Sequence, residues 1–177
     1  STNDTVAVLA NGMAGNEEIK LEDEENYKIF FEHLLDLMIH LAQLIVSDGE
    51  GASKFIEYKV SKAKDYQTAR KLVRAISGSL LVKTAMFGRD PNWGRIVMAA
   101  GNAGVGFDIS TVNLFIGNEH NLVQVLKDGK PLDFNKSHVK KLLRDSMLRI
   151  HMEMNQGESE ALGWGSDISS DYVMFNS

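Results

Sequence analysis

The residues best suited to chemistry stand in two short runs. Asp48-Gly49-Glu50-Gly51 sets a carboxylate between two glycines, whose conformational freedom lets a backbone come close to a ligand and presents the acid at the end of an element. A carboxylate held this way can pair with a substrate ammonium group. A solvent-facing turn with an incidental glutamate fits the same four residues. The second run is Lys83-Thr84-Ala85-Met86-Phe87-Gly88-Arg89-Asp90-Pro91-Asn92-Trp93-Gly94-Arg95-Ile96. It crowds Arg89, Asp90, Asn92 and Arg95 into one corner, which suits either an anion-binding site or a polar network tying a loop to a helix.

Other chemistries find little support. His33, His40, His120, His138 and His151 form no His-Glu-x-x-His pattern or other ligand spacing, so no metal is expected. The absence of cysteine excludes disulfides and thiolate ligands. Gly101, Gly104 and Gly106 follow a helical pattern where a phosphate loop would open one, and no Lys-Ser or Lys-Thr pair comes next. They read as a turn, and no cofactor is expected. No serine lies in a Gly-x-Ser-x-Gly elbow. Ser1 is an amino-terminal hydroxyl residue of the kind that can use its own α-amine as base.

Helices and strands must hold these groups. Val6, Leu9, Ala10 and Met13 suggest a short amphipathic helix, and six acids between Glu17 and Glu25 suggest a solvated loop. Ile29, Phe30, Leu34, Leu37, Met38, Leu41, Leu44 and Ile45 recur at three and four, which predicts a helix over 25–46 with one buried face. Phe55 to Val60 alternates as a strand, with Ile56, Tyr58 and Val60 on one side. Helices are expected over 65–76, 80–85, 91–100 and 135–147; Asp90 is the expected cap of the third, Pro91 its first residue and Gly101 its stop. Strands are expected over 112–116, 122–126, 150–154, 159–164 and 172–175. Asp128-Gly129 favours a tight hairpin turn, and the strands on either side of 155–158 read as an antiparallel pair. Interleaving without a strict βαβ rhythm predicts an α/β chain of α+β type, with layers of mixed sheet and helix.

The chain has 177 residues, 44% of them hydrophobic, enough for one domain with its own core. A net charge of −5 argues against nucleic acid and anionic membranes. Uninterrupted apolar stretches fall short of the ~20 residues that span a bilayer, so no membrane partner is expected.

Ser1-Thr2-Asn3-Asp4-Thr5, Asp48-Gly49-Glu50-Gly51-Ala52, the run 83–96, Trp164-Gly165-Ser166-Asp167, Tyr172-Val173 and Asn176 follow one another over nearly the whole chain. In these segments the sequence resembles the glutamate N-acetyltransferase family, also called ornithine acetyltransferases or ArgJ. It departs modestly, with Ser53 where threonine is common and Ser166 where cysteine is common. The resemblance implies an N-terminal-nucleophile fold of the DmpA/ArgJ type and an acetyl transfer from N-acetylornithine to glutamate, in arginine biosynthesis. Some members also make N-acetylglutamate from acetyl-CoA.

The resemblance further implies that Glu50 binds the amino-acid substrate and that Asn176, delivered by a strand over 172–175, does so too. A threonine that assists in the family would fall past Ser177. The family's nucleophile is a threonine in an Ala-Thr-Met-Leu segment upstream of the equivalent of Ser1, exposed when the precursor cuts itself. No catalytic residue is therefore assigned here, and Ser1 reads as the edge of a longer subunit. On this reading 1–177 is most of a β chain, partnered by the α chain of the same precursor in a cytoplasmic assembly of two α and two β chains. Arg89, Asp90, Asn92 and Arg95 would brace the structure. A non-catalytic interaction domain, or a relative with another acyl acceptor, is the alternative.

Overall fold

A computed structural model describes residues 4–175, and the chain divides into two units, Ser1–Asp48 and Gly49–Ser177. In the first, α1 (Glu24–Ser47) starts at Asp23, whose carboxylate accepts from the Asn26 N–H at 3.3 Å. Glu24 and Glu25 complement the positive end of the helix. The short helix expected around Val6 to Met13 does not form. That segment is irregular and exposed, and Gly12 and Gly15 take φ of 70° and 68°. A helix so short has nothing to offset the cost of its first turn.

α1 itself corrects one expectation. None of its residues is buried; Ile29, Phe30, Phe31, Leu35, Leu37, Met38, Leu44 and Ile45 are all exposed. It is also, by length and composition, the one helix among the described residues that is long and apolar enough to cross a membrane. Its uninterrupted apolar runs stay short, because Glu32 and Asp36 interrupt a window that is otherwise largely apolar.

The second unit is built on a six-stranded mixed sheet of order β4 (Lys130–Pro131), β3 (Leu122–Lys127), β2 (Asn113–Asn118), β5 (Met147–Glu153), β1 (Phe55–Ala63), β6 (Ser159–Ser166). Alternation in β1 (Phe55–Ala63) sends Ile56, Tyr58 and Val60 into the core as predicted. β1 runs parallel to β5 (Met147–Glu153) and antiparallel to β6 (Ser159–Ser166). The expected β5–β6 hairpin is therefore wrong, since β1 lies between those strands. The connection hops over the end of β1, where Met154 donates its N–H to Ser61 O and Gln156 to Lys62 O.

On the other side of β5, β2 (Asn113–Asn118), β3 (Leu122–Lys127) and the two-residue β4 (Lys130–Pro131) form an antiparallel meander. The Asp-Gly turn adopts the expected positive φ, 47° at Asp128 and 71° at Gly129.

Each helix of this unit begins at a side-chain cap. Asp65 accepts from Thr68 N at 2.6 Å to start α2 (Tyr66–Ser77), whose buried Ala69, Leu72, Val73 and Ile76 pack toward β6 and β1. Close approach needs glycine at 163, where a Cβ would meet Val73 Cγ1 at 2.7 Å. Ser79 caps α3 (Leu80–Phe87), and Asn135 caps α5 (Lys136–Leu142), which ends well before the predicted Met147, the first residue of β5.

α4 (Trp93–Gly101) is capped by Asn92, two residues after the expected Asp90, and it stops at Asn102 with Gly101 still inside. Asn92 Oδ1 accepts from Arg95 N at 3.2 Å, while its Nδ2 donates to Asp90 Oδ2 at 3.0 Å. Asp90 thus supports the cap. Asn92→Ala is expected to cost about 1 kcal/mol, the usual loss for a cap. Thermal unfolding of the variant checks this, and an unchanged midpoint would return the capping role to Asp90.

Residues 170–175 are not the predicted strand. They form α6 (Ser170–Phe175), started by Ser169, whose Oγ accepts from Tyr172 N at 3.2 Å.

Candidate functional site

Glu50 lies exposed in a tight turn between Gly49 and Lys54, closed by Ala52 N donating to Gly49 O at 2.9 Å. Gly51 has φ of 65°, a conformation that favours glycine. The turn feeds β1, and the pairing of Phe55 with Ser166 brings the residues after β6 alongside it. Two segments far apart in sequence become neighbours through that register.

Asp167 makes the join. It is 3% exposed and accepts three hydrogen bonds from the far side of the turn, from Ser53 N at 2.8 Å, Ser53 Oγ at 2.5 Å and Lys54 N at 3.0 Å. Ser169 holds the near side, donating its hydroxyl to Gly51 O at 2.5 Å. The backbone of α6 rests against Gly51, where an added Cβ would lie 2.6 Å from Tyr172 N.

Cations converge beneath the turn. Lys54 Nζ donates to the carbonyls of Arg144 and Asp145, both at 2.8 Å. Burial lowers the Lys54 pKa and the nearby Arg89 lowers it further, while Asp167 and Asp145 oppose the shift. Lys83 Nζ donates to Ser166 O at 2.6 Å; burial lowers its pKa too, again against the pull of Asp167. Tyr58 is pushed upward, first by burial and then by the Asp167 charge. Asp167 is thus the shared anion of a largely buried polar cluster, and such groups are costly to desolvate unless each finds a partner.

The arginine-rich corner acts mostly as a brace. Arg95 Nη1 donates to Leu81 O at 3.1 Å and Thr84 Oγ1 at 3.4 Å, tying α4 to α3. His151 shares a 2.8 Å hydrogen bond with Ser61 Oγ and stacks on Phe115, and burial is the main cause that lowers its pKa. Among the described residues no three His, Asp or Glu side chains gather as metal ligands.

Of the two substrate-binding residues expected from sequence, Glu50 sits at this junction. Asn176 falls outside the described residues, although α6, which leads toward it, starts against the Glu50 turn. Sequence reasoning missed Asp167, Ser169 and Lys83. The signal for the first was present in Trp164-Gly165-Ser166-Asp167, but its role depends on a strand pairing that the local sequence does not reveal.

The ArgJ family model matches residues 1–177. "Arginine biosynthesis bifunctional protein ArgJ" from Staphylococcus epidermidis is 45% identical over 176 residues, 99% of this chain and 43% of that protein. "Glutamate N-acetyltransferase" from Methanocaldococcus jannaschii is 43% identical over 180 residues, 99% of this chain and 44% of that protein. The crystal structure of arginine biosynthesis bifunctional protein ArgJ from Bacillus halodurans superposes with a TM-score of 0.88 at 36% identity, covering 99% of this chain and 81% of that one. The chain spans less than half the length of these curated relatives.

Proposed function

The chain belongs to the ArgJ family, and from that premise we propose that it is most of the β portion of a glutamate N-acetyltransferase of arginine biosynthesis. In this reading an upstream threonine attacks the acetyl carbonyl of N-acetylornithine, and ornithine leaves with a proton on its amine. The amine of glutamate then attacks the acyl-enzyme ester, forming N-acetylglutamate and returning the proton to the threonine hydroxyl. Dividing one amide exchange into two acyl transfers lowers each barrier. Glu50 pairs with an ammonium group of the bound amino acid, and Asn176 supplies an amide that can both donate and accept. Acetyl-CoA is the proposed second acetyl donor.

The observation that carries this reading is the junction itself. The glycine-flanked Glu50 turn is fastened on both sides to the segment leading into α6, which supports the reading of Glu50 as part of a built site.

The α chain of the same precursor is the proposed partner, and α1 supports it. Lys28, Glu32, Asp36, His40 and Gln43 mark a polar stripe, and the broad apolar remainder is exposed. A polar stripe on a helix of this kind suits a protein partner better than lipid on all sides. The complete enzyme is proposed as a cytoplasmic assembly of two α and two β chains.

Incubating the full-length protein with N-acetylornithine alone is expected to leave an acetyl group on the upstream threonine, which added glutamate removes as N-acetylglutamate. Absence of both products would refute the transfer reaction.

A further inference from the structure

We propose that Asp167 is a positioning residue for substrate binding, acting through the Glu50 turn; this rests on the reading of Glu50 as a substrate-binding residue. Four observations support it. Glu50 lies in a turn that the backbone bond from Ala52 N to Gly49 O closes, and the turn is exposed at Glu50. Asp167 supplies the external restraint, since one buried carboxylate takes the N–H groups of two successive residues and the Ser53 hydroxyl.

Asp167 is itself fixed, because it follows β6 directly and Lys83 grips the preceding carbonyl of Ser166. Finally, Ser169, two residues on, holds Gly51 O, so these restraints flank Glu50's immediate neighbour. Three hydrogen bonds from the turn converge on this one buried carboxylate, and charge-assisted bonds are the stronger kind. A side chain must be held within a fraction of an ångström to select a small ligand, and this carboxylate supplies that constraint.

Ser53 allows the role to be tested without opening the core. Ser53→Ala removes only the hydroxyl bond to Asp167 and leaves both backbone donors in place. In the full-length enzyme it is expected to raise KM for the amino-acid acceptor by about threefold to tenfold, the scale of one hydrogen bond. The kcat should stay within about twofold at saturating substrate. Ser53→Thr, which keeps the hydroxyl, should restore the parent KM. Asp167→Asn should act in the same direction and more strongly. Hydrogen exchange should quicken at the Ser53 and Lys54 amides while those of Tyr58 and Ile150 stay protected.

Glu50→Ala serves as the parallel control. If it raises KM while Ser53→Ala and Asp167→Asn leave both KM and the two amides unmoved, the positioning role is overturned and the assignment of Glu50 survives. If Glu50→Ala leaves KM unchanged, the assignment of Glu50 fails and the positioning role fails with it, whatever the exchange shows. A fall in kcat as large as the rise in KM, not restored by Ser53→Thr, would mark Asp167 as structural only.

Discussion

Replacing Glu50 by alanine in the full-length enzyme should raise KM for the amino-acid substrate about tenfold to a hundredfold, the equivalent of a charge-assisted contact of roughly 1.5 to 3 kcal/mol shielded from water. The fold should be untouched, because Glu50 is exposed and the restraints on its turn run through the backbone of Gly51 and Lys54 and through Ser53. An unchanged melting temperature together with the raised KM is therefore expected. Glu50→Gln separates charge from shape. If the carboxylate pairs with an ammonium group, the amide should recover little of the loss. A KM unmoved by either substitution would remove Glu50 from the site.

How much of this was legible depends on whether the deciding interaction is local. Asp65 and Ser79 each cap a helix from within one turn, and Asp128-Gly129 dictates its own backbone angles. The alternation of Ile56, Tyr58 and Val60 reports a buried face whatever strand lies beside it. Those elements could be read directly. The placement of β1 between β5 and β6 could not, because the short 155–158 connection is compatible with a hairpin and the choice is made by partners some ninety residues away.

Near misses have the same origin. Asp90 and Asn92 are both good caps two residues apart, and the three-dimensional path of the chain through Pro91 selects the second. Tyr172-Val173-Met174-Phe175 has the composition of a strand, yet Ser169 supplies a helix cap and Gly51 a surface for the resulting turn. The periodicity of α1 located its helix and its apolar positions, but not their burial, since none of them is buried.

The same distinction separates the parts of the site. Glu50 announces itself through its flanking glycines, a local cue that the family resemblance sharpened. Asp167 and Lys83 lie in motifs that the resemblance marks, but neither those motifs nor Ser169 reveals locally what the side chains hold. Their importance arises only when the antiparallel register sets Ser166 beside Phe55 and turns two distant motifs into one hydrogen-bonded body.

Gly51→Ala should disturb that body most. Alanine at a φ of 65° is strained, by about 1 kcal/mol or somewhat more, and that part of the effect can be measured alone. Gly104 has nearly the same φ, 67°, with nothing within 4 Å of its missing Cβ, so Gly104→Ala should show the strain by itself. At Gly51 the new methyl would also meet Tyr172 N at 2.6 Å, Tyr172 Cα at 3.0 Å and Asp171 C at 3.2 Å. These are backbone atoms, which cannot swing aside as a flexible side chain would. The helix must shift, and the short Ser169 to Gly51 bond is lost with it.

Gly51→Ala is therefore expected to cost at least twice the stability that Gly104→Ala does in thermal unfolding. It should expose the amides of 172–175 to exchange and lower kcat/KM by more than tenfold, on the order of 1.4 kcal/mol or more in transition-state terms. Equal effects of the two substitutions would mean that α6 does not rest on the Glu50 turn in solution.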